Sequence, residues 1–114
     1  MTGVRNGVLA RMALTTTAAT AVGTVPSGTT WLLKAVHLTN TNAVATNVTV
    51  QMNNAANTVF VWLVQQTIQA SSFFAWYGWT AMAPGDVLYV TTAVAPLDVW
   101  VAGAALPGEL ATVP

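Results

Sequence analysis

The apolar positions of this chain fall in short runs of Val, Leu, Trp, Phe and Tyr, broken about every 8–12 residues by clusters of Gly, Pro, Asn and Ser. That spacing predicts an all-β chain, a sandwich or a barrel, because β-branched and aromatic side chains suit a pleated surface and the breakers suit tight turns. Strands are predicted over residues 8–16, 21–25, 31–40, 47–53, 58–66, 68–79 (one or two strands), 87–92 and 99–104. Turns are predicted at Pro26-Ser27-Gly28, across 53–57, at Pro84-Gly85-Asp86 and at Pro96-Leu97-Asp98. No stretch shows a convincing helical period, and no internal repeat is visible.

Alternation is cleanest over 47–53, where Val48, Val50 and Met52 share one face and Asn47, Thr49, Gln51 and Asn53 the other. This reads as a half-solvated strand. The later strands differ. Val59, Val61 and Leu63 oppose Phe60, Trp62 and Val64; Val87 and Tyr89 oppose Leu88 and Val90; Val99 and Val101 oppose Trp100 and Ala102. Both faces are apolar, as in parallel sheets covered by helices, yet no helix is predicted to supply that cover. Either curvature, the N-terminal strand or a C-terminal arm hides the second face within one subunit, or the second face is an interface. The interface reading nominates Phe60, Trp62, Trp76, Tyr77, Trp79, Tyr89 and Trp100, since aromatic side chains dominate subunit contacts.

Composition sharpens the interface reading. Of 114 residues only three are Lys or Arg and three Asp or Glu, with five Trp, whereas a soluble domain spends about a quarter of its residues on charge. Such a surface is poorly defended against association and reads as one built to be covered by other subunits. One domain over 1–114 is expected, with residues 1–21 as an N-terminal strand or arm and 105–114 as an extended tail. Zero net charge gives no footprint for nucleic acid. Arg5 and Arg11 before the Ala/Thr-rich stretch 12–22 imitate a signal peptide loosely, but Thr15, Thr16 and Thr17 interrupt it, and none is expected. The longest apolar run, 59–64, is far short of the roughly 20 residues of a spanning helix, and no membrane role is expected.

Candidate chemistry is sparse. The carboxylates are Asp86, Asp98 and Glu109; the first two sit in predicted turns after Pro, where a carboxylate caps backbone amides. His37 is the single histidine and Cys is absent, so no metal set is complete. Ser27, Ser71 and Ser72 lie outside any nucleophile elbow. The Asn47-Val48-Thr49 triplet reads as alternating strand residues. No enzyme and no cofactor are expected. One ligand site is conceivable: the cluster Phe73 to Trp79, in which Trp76, Tyr77 and Trp79, with Gln65, Gln66 and Gln69 near in sequence, could form an aromatic platform for a glycan.

The order Val25-Pro26-Ser27-Gly28-Thr29-Thr30, Lys34-Ala35-Val36-His37-Leu38-Thr39-Asn40-Thr41, Val48-Thr49-Val50 and Pro84-Gly85-Asp86-Val87-Leu88-Tyr89-Val90 is similar to that of small virion proteins of tailed bacteriophages, over about residues 22–104. The resemblance implies an antiparallel, jelly-roll-like β-sandwich of about seven or eight strands without significant helix. It implies a capsid decoration or minor capsid subunit, a trimer by preference, whose partners are its own copies and virion proteins such as the major capsid protein. Its place would be the virion, assembled in the cytoplasm of a bacterial host. A tail tip, baseplate or fibre component is the alternative within the virion, and a carbohydrate-binding module the alternative of another class. The aromatic run Phe73-Phe74-Ala75-Trp76-Tyr77-Gly78-Trp79 departs from the family pattern.

Overall fold

A computed structural model describes residues 5–107. Turn chemistry sets the punctuation between strands. Asp86 Oδ2 accepts the Ala83 amide at 2.8 Å, closing the Pro84-Gly85 turn as a carboxylate cap. Asn54 Oδ1 accepts the amides of Thr58 at 2.8 Å and Val59 at 2.9 Å, shaping the Asn-rich turn, in which Asn57 takes a left-handed φ of 57°. Between these turns run β1 (Arg5–Leu14), β2 (Thr20–Thr24), β3 (Thr29–Asn40), β4 (Thr46–Asn53), β5 (Phe60–Ile68), β6 (Ser72–Met82), β7 (Val87–Thr92) and β8 (Leu97–Pro107). No helix occurs among the described residues.

The strands form two antiparallel four-stranded sheets, ordered β1-β8-β3-β6 and β2-β7-β4-β5. The first strand lies beside the last, and the chain crosses repeatedly between layers. This is the wiring of a jelly-roll sandwich. The core is the facing pair of inner surfaces: Leu33, Val36, Leu38, Leu97, Val99 and Val101 from one sheet meet Val48, Val50, Val64, Leu88 and Val90 from the other. In β4 the alternation holds, with Val48 and Val50 buried, Met52 half-buried against the core, and Asn47, Thr49, Gln51 and Asn53 on the outer side.

Register shifts fall at one level across the first sheet, between Val8 and Ala10 in β1 and between Leu33 and Ala35 in β3. In β6 the same shift sets Gly78 and Trp79 against Lys34. Bulges bend and twist a strand and re-aim the side chains beside them. Gly103 sits at this level, and a Cβ there would run into the Leu32 carbonyl oxygen, so the close approach of β3 and β8 requires glycine.

Two polar networks lock one end of the sandwich. Asn40, fully buried, directs its Nδ2 to the carbonyls of Val44, Ile68 and Gln69, while its Oδ1 accepts from the amide and Nδ2 of Asn42. The Thr92 hydroxyl donates to Val94 O and the Thr46 hydroxyl accepts from Val94 N, which leaves Thr46 as donor in their 2.7 Å contact. Among the described residues no buried side-chain nitrogen or oxygen lacks a partner.

Some predicted boundaries are corrected. Leu97 and Asp98 belong to β8, paired with Leu14 and Ala13, because the turn is made earlier, at residues 93–95. Ala105, Leu106 and Pro107 extend β8 against Trp31, Thr30 and Thr29 and are not part of a free tail; Pro107 ends the strand, where a missing N–H costs nothing. Ile68 closes β5, and one strand, β6, follows the bend at Ser71. Thr15 and Thr16 leave β1 for the turn into β2. Glu109 and the rest of the predicted arm lie outside the described residues.

Candidate functional site

The sheet orders leave β5 and β6 as edge strands, one in each sheet, and the two run along the same side of the sandwich. Neither carries a charged residue. Their side chains make that rim aromatic. Trp62 pairs with Gln51 and Phe60 with Asn53, both outward positions of β4, so the two rings stand on the outer face of the second sheet, 5.7 Å apart. A register shift opposite Val50 and Gln51 makes Leu63 the extra residue and turns Val64 inward opposite Val50. In β6, Phe73 pairs with outward Thr39 and Tyr77 with Ala35, while Trp79 follows two residues on in the bulge. These three stand on the outer face of the first sheet. Phe60 and Trp62 are each 55 % exposed, and Phe73, Tyr77 and Trp79 are 68–69 % exposed. Val59 and Val61, also exposed, line a shallow groove at the rim with Met52 and Ala81.

Trp100 stands apart, on the outer face of β8 between Arg11 of β1 and His37 of β3. The Arg11 guanidinium lies over its ring at 5.1 Å, and His37 meets Tyr77 edge-on at 5.7 Å. Asp98 shares this face. The outer face of the first sheet therefore gathers Arg11, Lys34, Asp98 and His37, with Lys34 opposite Gly78 and Trp79 in the bulge, while Asp86 lines the rim groove beside Val59 and Val61.

Of the seven nominated aromatics, Phe60, Trp62, Tyr77, Trp79 and Trp100 are exposed. Trp76 turns inward, lies over Gly78 and packs against the core, because Gly78 has no Cβ to block the indole. The intended platform of Trp76, Tyr77 and Trp79 is thus split between two faces. Tyr89 is half-buried in the middle of the second sheet, paired with Ala21 and Gln51. Phe73 belongs to the sequence cluster 73–79 but not to the seven interface aromatics, although its odd position, shared with Tyr77 and Trp79, is the signal that places it beside them. Arg11 against Trp100 is a cross-strand contact between chain ends, which local pattern does not reveal. Among the described residues no group of three or more His, Cys, Asp or Glu could hold a metal.

No protein-family model and no curated protein matches this chain. Solved structures do resemble it. A chain in the structure of infectious bursal disease virus Gx strain superposes on 97 % of it with a TM-score of 0.54 and 8 % identity. The aligned part is 33 % of that viral chain, so this protein spans about a third of its neighbour's length. At this identity the likeness establishes a shared fold. A C-terminal family 22 carbohydrate-binding module of Clostridium thermocellum Xyn10B covers 96 % of this chain and 88 % of its own, with 18 % identity and a TM-score of 0.40. That superposition is too loose to bear on a ligand.

Proposed function

We propose that this chain is a non-enzymatic structural subunit of a tailed-bacteriophage virion, a decoration or minor capsid protein that adds to a preformed shell and is held there by uncharged apolar contacts. The observation that carries the reading is the rim: five aromatic side chains more than half exposed on two edge strands without a charge. A monomer seldom leaves that many large apolar side chains in water unless a partner covers them. Edge strands add unpaired backbone groups on the same side, which natural proteins otherwise blunt with charge or proline.

Negative-stain imaging of purified particles carrying a tagged copy tests this. Label distributed over the shell is expected. Label confined to the tail tip or baseplate would keep the virion role and move the subunit; absence from particles would overturn it. Tyr77 and Trp79 share one face of β6 at 69 and 68 % exposure, which also suits stacking on a sugar ring. Glycan binding by the isolated chain, abolished by Trp79→Ala, would favour that reading of another class.

A further inference from the structure

The two outer faces of the sandwich differ in chemistry. Arg11, Lys34, His37 and Asp98 belong to the first sheet, whereas β2, β4, β5 and β7 carry no Asp, Glu, Lys, Arg or His at all. Asp86, in the turn before β7, lies at one end of the second sheet and is tied to the Ala83 amide. The middle of that sheet's outer face is polar without being charged. Pairing sets Thr91, Thr49 and Gln65 in one row across β7, β4 and β5, and Tyr89, Gln51 and Trp62 in the next. All six are half-buried or exposed.

The second row places an aromatic ring on each side of an amide. Tyr89 and Trp62 are two strands apart, about 10 Å at the usual strand spacing, with Gln51 between them. The Gln51 amide is held in place, since its Nε2 donates to Asn53 Oδ1 at 2.8 Å and Asn53 Nδ2 donates to Asn57 Oδ1 at 2.6 Å. Its Oε1 is left to accept. The first row adds two hydroxyls and an amide that bond to no other group among the described residues. Hydroxyl and amide groups both donate and accept.

We propose that this face binds an uncharged polysaccharide, laid across the strands along the row of Tyr89, Gln51 and Trp62. A pyranose ring has an apolar C–H face that packs on an aromatic ring, and a rim of hydroxyls that donate and accept. Alternate sugar units stack on Tyr89 and Trp62, Gln51 meets the unit between them, and Thr91, Thr49 and Gln65 meet hydroxyls along one side. The strand spacing of about 4.8 Å is of the order of one sugar unit, so a repeating polymer meets a repeating grid. Charge decides against other occupants. A uronate polymer would find no cation here, and a typical protein surface, about a quarter charged, would lose hydration without an opposite charge to meet. The site is distinct from Tyr77 and Trp79, which stand on the opposite face, and it does not depend on the virion reading.

Isothermal titration calorimetry of the purified chain with xylan, galactomannan and hydroxyethylcellulose, and with polygalacturonate as the charged counterpart, tests the proposal. Binding to at least one neutral polymer and none to polygalacturonate is expected. Trp62→Ala should weaken binding by about tenfold or more, and Gln65→Ala several-fold. Both positions are exposed, so the variants should melt as the parent does. Tyr89→Phe, which keeps the ring, should retain binding that Tyr89→Ala loses, and Trp79→Ala should bind as the parent. No binding to any neutral polymer would overturn the proposal, as would equal binding of polygalacturonate. Loss in Trp79→Ala with retention in Trp62→Ala would overturn it in favour of β6. Self-association of the parent that Trp62→Ala abolishes, without polymer binding, would assign the face to a second copy instead. Labelled particles decide the virion reading separately.

Discussion

Val48→Asp and Thr49→Asp place the same carboxyl on neighbouring residues of β4, one inside the sandwich and one outside. Val48 is 1 % exposed, paired with Gln66 and Thr92, and belongs to the core cluster. Removing it forfeits about 1.5–3 kcal/mol of burial. The new carboxyl finds no cation there. It must be buried charged or stay protonated, and a pKa raised by 3–5 units costs about 4 kcal/mol at pH 7, the span between the unfolded value near 3.9 and that pH. Together the cost is about 6–7 kcal/mol, comparable with the whole stability of a domain this size, about 5–15 kcal/mol. Thr49 points outward and should lose less than about 1 kcal/mol. The penalty at Val48 also has a sign in pH. A carboxyl whose folded pKa is raised destabilises progressively as pH climbs from its unfolded value, about 3.9, towards the folded one, and the penalty is largest above that. Lowering pH from 7 to 4.5 should therefore narrow the gap between Val48→Asp and the parent. Thermal melting by circular dichroism at both pH values measures this. Equal loss from the two substitutions, or a gap at Val48 that widens on acidification, would refute the assignment of faces.

Other consequences follow from the polar networks and the bulge. Asn40→Asp replaces the donor that serves three carbonyls with an acceptor, and should cost about 3 kcal/mol or more, read as a lower urea midpoint at unchanged slope. Gly103→Ala drives a methyl into the Leu32 carbonyl and should cost several times as much as Gly28→Ala, where φ is +74° and the space is open, so that only a conformational penalty of about 1–2 kcal/mol applies. Comparable melting temperatures for the two glycine variants would contradict the close approach of β3 and β8.

Much of the fold was legible because turn chemistry is local. Pro84-Gly85-Asp86 and the Asn-rich turn announce themselves, and Asp86 caps its turn as its residue type suggests. Where a breaker stood beside a strand the boundary moved: Pro96 drew Leu97 and Asp98 into a predicted turn, although β8 begins with them. The faces were legible in β4, whose two sides differ chemically. They were not legible in β5, because both parities are apolar and the extra residue at Leu63 inverts the alternation before Val64. Trp76 shows the same limit in β6, since its inward turn depends on the space that Gly78 leaves. Nothing local shows that β5 and β6 share one side of the sandwich. That juxtaposition belongs to the long-range order of the sheets.

The central claim is that an uncharged aromatic surface holds this subunit in its assembly, and salt against denaturant tests it most directly. With three Lys or Arg and three Asp or Glu in the chain, Coulomb attraction has little to act on, and raising salt from 0.15 to 1 M shortens the Debye length from about 8 to about 3 Å. Apolar burial is not weakened by that change but is weakened by urea. Particles sedimented under each condition should therefore retain the subunit in 1 M salt and lose it in mild denaturant. Release by salt alone, with the subunit retained in denaturant, would mean that a few ion pairs dominate the contact and would contradict the account.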